Sequence, residues 1–271
     1  MQLKHRVDLN GVQLDEVDPR IIIQGVSTRT GKTSVNAVSL YGRDGQRLTG
    51  MQRDTLDVEV SFGLLIRSTD MQSRAALLDT VNQWAALALR EYGGAWLSVN
   101  YKENRRIHVY LVDPAEEGDL IEYANTFRLT FRAYGVPYWQ EAVCVPYVSP
   151  VGSIQYGQIT VNGTVRTVAD ITLQNESGDL INTCSVTAGR SVMSFSGLGM
   201  VGGESLVIDH DEEGRLRLRI LNIATGVYRS VYAKRNPGSA DDLYVMPGIQ
   251  TVGFSAQRAC SMTAGALGRY L

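Results

Sequence analysis

The sequence predicts a mainly β protein in two parts, a β domain with a single α-helix and then a β-sandwich or jelly roll. Three observations carry this. Phe127, Leu129, Phe131 and Ala133 alternate with Arg128, Thr130, Arg132 and Tyr134, the period-2 pattern of a strand buried on one face. Helical spacing of apolar residues is strong only between Thr69 and Gly94. From about Ser149 onward, short apolar segments recur with turn residues between them.

The chain has 271 residues, and at ~150 residues per domain two domains are expected, 1–140 and 141–271. The boundary follows from Gly135 and Pro137, which stop the Phe127 ladder, since proline removes a donor. Tyr138 and Trp139 then put two large rings at the exit.

In order along the first part, Met1 to Leu14 holds short β pieces around the Asn10–Gly11 turn, and Arg20 to Gly25 is a β-branched run suited to a buried strand. Val26 to Arg53 is polar, with turn clusters at Thr30–Lys32 and Gly42–Gly45; Val35, Ala37, Ser39 and Tyr41 alternate between them, as in a long hairpin arm. Polar excursions of this length inside a domain usually serve binding or assembly. Leu56 to Arg67 reads as a strand. The helix begins at a Thr69 cap with Gln72 three residues on, presents Leu77, Leu78, Val81, Trp84, Ala85 and Ala88 on one face, and ends at Gly93–Gly94. Strands follow at Ala95 to Tyr101 and Arg106 to Asp113, with turns at Lys102–Asn104 and Glu116–Gly118.

In the second part, strands are expected at Ala169–Leu173, Ile181–Val186, Val192–Phe195, Ser205–Ile208, Leu216–Ile223, Val227–Tyr232, Leu243–Met246 and Thr251–Phe254. Arg215 to Ile220 sets three arginines, read as a solvated face, against Leu216, Leu218 and Ile220.

Composition narrows the function. A net charge of −2 supplies no basic excess for phosphates, so no sequence-specific nucleic-acid partner is expected. No apolar run approaches the ~20 residues of a membrane-spanning helix, and the N-terminus turns polar too early for a signal peptide. Cys144, Cys184 and Cys260 form no CxxC pair and read as reduced thiols that behave as small hydrophobes.

Three short matches fail on context. Gly25 to Thr33 (GVSTRTGKT) has five residues between its glycines where a phosphate loop needs four, and a hairpin tip accounts for it better. Gly197 to Gly202 has GxGxxG register but no room for a helix before Asp209. Asp209 to Gly214 resembles the start of a calcium loop, yet its twelfth position is Ile220, so an acidic turn is expected. His5, His108 and His210 lie far apart, with no HExxH or GxSxG context. Catalytic, cofactor-binding and metal-ligating residues are therefore read as none.

The order of these parts, with Gly42–Gly45 in a long arm, FRLTFRAYGVPYW at Phe127–Trp139 and LYVMPGIQTVGF at Leu243–Phe254, resembles the distal tail protein family of siphoviruses. The resemblance implies a tail-tube-like N-terminal domain and a galectin-like C-terminal sandwich. It implies a homohexameric ring joining the tail tube protein to tail hub, fibre or receptor-binding proteins, in a virion tail made in the host bacterial cytoplasm. The family's arm wraps neighbouring subunits, which maps here onto about Thr28 to Arg53. Arg29, Lys32, Tyr41, Arg43, Asp44 and Arg47 are then the subunit-interface candidates. Competing readings are a carbohydrate-binding or adhesin-like module displaying Tyr138, Trp139, Tyr228 and Tyr232, and a hydrolase with a polar cleft.

Overall fold

A computed structural model describes residues 5–31, 33–39, 46–66, 70–115 and 126–271. It divides into two compact units, Met1–Tyr138 and Trp139–Leu271. Both are built mainly of strands, with one long helix among the described residues.

The first unit contains β1 (Val7–Leu9), β2 (Val12–Gln13), a single turn α1 (Leu14–Val17), β3 (Ile21–Thr30), β4 (Thr33–Ser39), β5 (Gln46–Arg53), β6 (Leu56–Leu64), α2 (Met71–Ala85), β7 (Ala95–Val99), β8 (Arg105–Asp113) and β9 (Phe127–Ala133). Seven of the strands form an antiparallel sheet in the order β2-β1-β7-β8-β9-β6-β3. The alternation in β9 places Phe127, Leu129, Phe131 and Ala133 fully inside, opposite the buried Phe62, Val60, Val58 and Leu56 of β6. Phe62 and Phe127 stack at 5.5 Å between ring centroids. Burying such rings contributes ~1.5–3 kcal/mol each, which ties this pair of strands to the core.

Helix α2 covers that layer with Leu77, Leu78, Val81, Trp84 and Ala85. Trp84 meets Phe131 edge-on at 6.1 Å, and its indole N–H donates to the Val12 carbonyl at 2.8 Å. Packing is its role. The helix starts one residue later than the sequence suggests: Asp70 is the cap, its carboxylate accepting from the Ser73 amide at 3.1 Å. The expected Thr69 cap lies outside the described residues. At the other end α2 stops at Ala85, and two 3-10 turns, Ala86–Ala88 and Arg90–Tyr92, carry the chain to Gly93. The apolar spacing continues through those turns, which is why the sequence reads as one longer helix.

The second unit contains β10 (Trp139–Glu141), β11 (Tyr147–Val148), β12 (Gly152–Val161), β13 (Thr167–Val168), β14 (Asp170–Asn175), β15 (Ile181–Ala188), β16 (Ser191–Met200), β17 (Glu204–His210), β18 (Leu216–Asn222), β19 (Tyr228–Ser230), β20 (Tyr244–Val245), β21 (Gly248–Gly265) and β22 (Arg269–Tyr270). Strand order is β16-β15-β21-β14-β17-β18-β19, with β11 and β12 on the free side of β21. The 18 residues of β21 serve two sets of partners. Its first half lies between β12 and β15, and its second half between β11 and β14. A strand that changes partners in this way turns one sheet into the two faces of a sandwich. Phe195, Phe254, Leu206, Ile208 and Met262 are among the side chains enclosed between them.

Gly25 to Thr33 is not a hairpin tip: Gly25–Thr30 continues β3 and Thr33 begins β4. Arg217 and Arg219 do not stand free in solvent, because both bind the Asp209 carboxylate, at 2.8 and 2.7 Å. The sequence pattern does not mark β12, and of β21 it marks only Thr251–Phe254.

Candidate assembly site

Beyond Gly25, β3 leaves the buried layer: its inner residues Ile21 and Ile23 are enclosed, and Ser27 to Thr30 are exposed. It still pairs with β6, Thr30 lying opposite Leu56. The ladder then passes to a ribbon of β4 and β5, in register from Thr33 opposite Arg53 to Ser39 opposite Gln46. Together these segments form the arm. The passage is close-packed: the Gly31 amide donates to the Thr55 carbonyl at 2.9 Å, and a Cβ at Gly31 would come within 2.8 Å of that oxygen. Ser34 donates from its hydroxyl to the Asp54 carboxylate at 3.0 Å, closing the root.

Charge pairs hold the base of the arm. Arg132 forks onto Asp57 with bonds of 2.6 and 2.8 Å, the bidentate geometry in which such pairs are strongest. This contact holds the Arg132 guanidinium even more firmly protonated than usual. Glu59 sits between Arg29 at 3.4 Å and Arg128 at 3.5 Å. Arg53 lies over the Tyr138 ring at 5.3 Å.

One strand of the ribbon, β4, is bare. Every residue of β4 is exposed, with Val35 56% and Val38 50% accessible, and among the described strands β4 pairs with β5. A two-stranded ribbon without a third strand or a packed face is marginal in water. Such an element persists by laying its apolar side chains against something else.

Of the interface candidates, Arg29 is on the exposed half of β3, and Arg47 pairs through its backbone with Val38. Lys32, Tyr41, Arg43, Asp44 and the side chain of Arg47 lie outside the described residues.

The second unit holds a polar cluster that the sequence did not announce. His210 is enclosed, and Asp170 lies 2.8 Å from its Nδ1 while Asp242 lies 2.9 Å from its Nε2. Burial pulls the imidazole pKa down, but the two carboxylates outweigh it and raise the value to about 9. With both ring nitrogens occupied, the group has none left to act as a base or bind a metal. It is a clamp joining β14, β17 and the approach to β20. Only long-range signals could have found it, since Asp170 and Asp242 are 40 and 32 residues away. A second tie, Arg229, donates to the carbonyls of Leu198 and Gly199 and to Glu204, fixing the glycine-containing end of β16 without any ligand.

Asp209 and His210 end β17, and Asp211–Gly214 form the turn, in which the Asp211 carboxylate accepts from the amides of Glu213 and Arg215. Among the described residues, no group of His, Cys, Asp or Glu is arranged to hold a metal ion. Of the aromatic set considered for a sugar platform, Trp139 is fully buried and cannot present its ring, Tyr228 and Tyr232 are each 48% exposed, Arg219 lies 4.2 Å from the Tyr228 ring, and Arg53 lies over Tyr138. Cys184 and Cys260 are buried free thiols, burial being the main cause of pKa values raised to about 12 and about 11.

No family model matches the chain, and no curated protein matches it by sequence. Solved structures do match by shape. The Dit (gp 19.1) protein of SPP1, described as a paradigm of the hub adsorption apparatus in phages infecting Gram-positive hosts, aligns over 98% of this chain and 99% of its own. The TM-score is 0.64 and the identity 13%, so the two share a fold. Chains of the phage p2 baseplate in its activated conformation align over 96% of this chain and 97% of theirs, at a TM-score of 0.45 and 7% identity.

Proposed function

We propose that this chain is a structural component of a phage tail tip, forming a homohexameric ring at the distal end of the tail tube and joining it to the host-adsorption apparatus. The observation that carries the reading is an end-to-end shared fold with a hub protein, covering 98% of this chain. The arm supports it independently. A ring needs heterologous contacts in which one patch of each copy meets a different patch of the next. The exposed β4 strand of the arm, whose base is anchored by the Arg132–Asp57 pair, supplies one such patch. On this reading Arg29, Lys32, Tyr41, Arg43, Asp44 and Arg47 belong to the contact, and the partners are copies of the chain, the tube protein and hub, fibre or receptor-binding proteins. The work is mechanical, not catalytic, and its place is the virion tail.

Mass photometry of the full chain, followed by negative-stain microscopy, tests this. The expected species has about six chain masses and a central hole. Replacing residues 33–53 by a short Gly-Ser turn is expected to leave a folded monomer. A wild-type chain that stays monomeric and is absent from tail tips, or a ring that survives loss of the arm, would overturn the proposal.

A further inference from the structure

The charges of the second unit are segregated. β17 and β18 carry Glu204, Asp209, Arg217 and Arg219, all of them in ion pairs. By contrast, no Asp, Glu, Lys or Arg occurs in Ile181–Gly189, Ser191–Gly203 or Leu243–Gln257, nor from Ala142 to Val165. These segments supply β12, β15, β16 and the first half of β21, which lie side by side in the order β16-β15-β21-β12. One layer of the sandwich therefore turns an uncharged face outward, where a solvated strand face ordinarily mixes both signs.

The register lines up the outward side chains. Ser185 faces Ser194 on one neighbour and Ser255 on the other, and Thr183 faces Ser196 in the next row. With Asn236 and Gln257 they line a groove of about 370 Å³ that has no charged residue in its walls. Sites for small molecules run from roughly 300 to 1,000 Å³. Gln257 is fixed in place, its Oε1 accepting from the Asn182 and Thr183 amides at 2.9 and 3.1 Å. Among the described residues, its NH2 group and the hydroxyls of Thr183, Ser185, Ser196 and Ser255 have no protein partner. An aromatic ring lies close by. Two residues along β21 from Ser255, and so on the same face, Gly253 is paired with Tyr156. The Tyr156 ring covers Gly253, where any Cβ would collide with it, yet the residue is 61% exposed. The tyrosine is held against the sheet with much of its surface open to solvent.

These features select the chemistry of an occupant. An ion finds no countercharge in the walls, and an apolar ligand strips water from hydroxyl and amide groups without replacing its hydrogen bonds. A ligand with hydroxyls of its own replaces that water bond for bond. The C–H face of a sugar ring is also apolar and flat enough to lie on a tyrosine. We infer that this groove binds an uncharged oligosaccharide, one sugar held by Thr183, Ser185, Ser196, Ser255 and Gln257 and the next stacked on Tyr156. The site is complete within one copy, so it stands or falls independently of the ring. It is distinct from Tyr138, Trp139, Tyr228 and Tyr232, none of which lines the groove.

The test uses the full chain and a panel of uncharged mono- to tetrasaccharides ending in glucose, galactose, rhamnose or N-acetylhexosamine, with sialylated and phosphorylated counterparts as charged controls. Saturation-transfer NMR and calorimetry are expected to find at least one uncharged member binding at about 1 mM or tighter, with its charged counterparts at least about tenfold weaker. Affinity should rise at least about threefold from one sugar to two, because Tyr156 lies beyond the first. Ser196→Lys, which puts a long cation into the groove, and Tyr156→Ala should each weaken binding at least about tenfold, whereas Tyr156→Phe keeps the ring and should stay within about twofold. Ser196 and Tyr156 are both exposed, so these variants are expected to unfold at the wild-type temperature. No binding by any uncharged member at about 10 mM would overturn the inference. So would equal binding of the charged counterparts, a free monosaccharide binding as tightly as the longer chains, or binding that survives both Ser196→Lys and Tyr156→Ala.

Discussion

Substituting His210 by glutamine removes a cation that two carboxylates share, and its cost can be worked out from the clamp. The folded pKa of about 9 lies above the ordinary 6.5. The clamp's contribution is therefore complete below about pH 6.5 and drains away as pH climbs through 9. The separation of ~2.5 pK units corresponds to ~3 kcal/mol at most, of which ~2 kcal/mol remains at pH 7.5 and almost nothing at pH 10. The expected measurement is urea unfolding of the full chain at pH 6, 7.5 and 10, with hydrogen exchange of 204–210 reporting on the second unit. Wild type should lose ~3 kcal/mol more than His210→Gln between pH 6 and 10, so the two curves converge at the alkaline end. Direct NMR titration of the imidazole supplies the independent check. An imidazole titrating at or below 6.5, or two curves that run parallel across the range, would refute the reasoning.

Other perturbations have defined outcomes. Phe131→Ala removes a ring fully enclosed under Trp84 and should cost ~3–5 kcal/mol of stability in thermal or urea unfolding of the first unit. Gly31→Val should leave the body of that unit folded, since the clash is confined to Thr55, but disturb the arm root, seen as faster exchange in 46–53. Asp57→Asn breaks the bidentate hold on Arg132 and is expected to cost ~1–3 kcal/mol, an effect that Asp57→Glu would only partly restore. Native protein treated with iodoacetamide at pH 8 should label Cys144 well before Cys184 or Cys260, whose thiols are held protonated by burial; mass spectrometry would read the order.

What the sequence disclosed depended on the range of the signal. The Phe127–Ala133 alternation and the Leu77–Trp84 stripe are local patterns, and both elements lie where those patterns put them. The hairpin character of Val35 to Tyr41 is legible for the same reason: the structure pairs Val35–Ser39 with Gln46–Met51, and Tyr41 lies outside the described residues. β12 escaped notice because Gly152, Gly157 and a run of Ser, Gln and Thr dilute its alternation. β21 was truncated because Gly253 and its small neighbours carry little hydrophobic contrast, although their partners on both sides make them strand. Thr69 looked like the cap because it begins a capping-box spacing, but Asp70 occupies that geometry. The His210 clamp had no local signature whatever. Asp209-His210-Asp211 reads as an acidic turn until folding brings Asp170 and Asp242 to the ring.

The single strand that serves both halves of the second unit has a mechanical meaning. A pull along β21 loads its hydrogen bonds to β11, β12, β14 and β15 in shear, so they resist together instead of opening one after another. Neither layer can peel away while the other remains intact, since each is stitched to the same 18-residue cord. In a force spectrometer this unit should hold and then rip in one step.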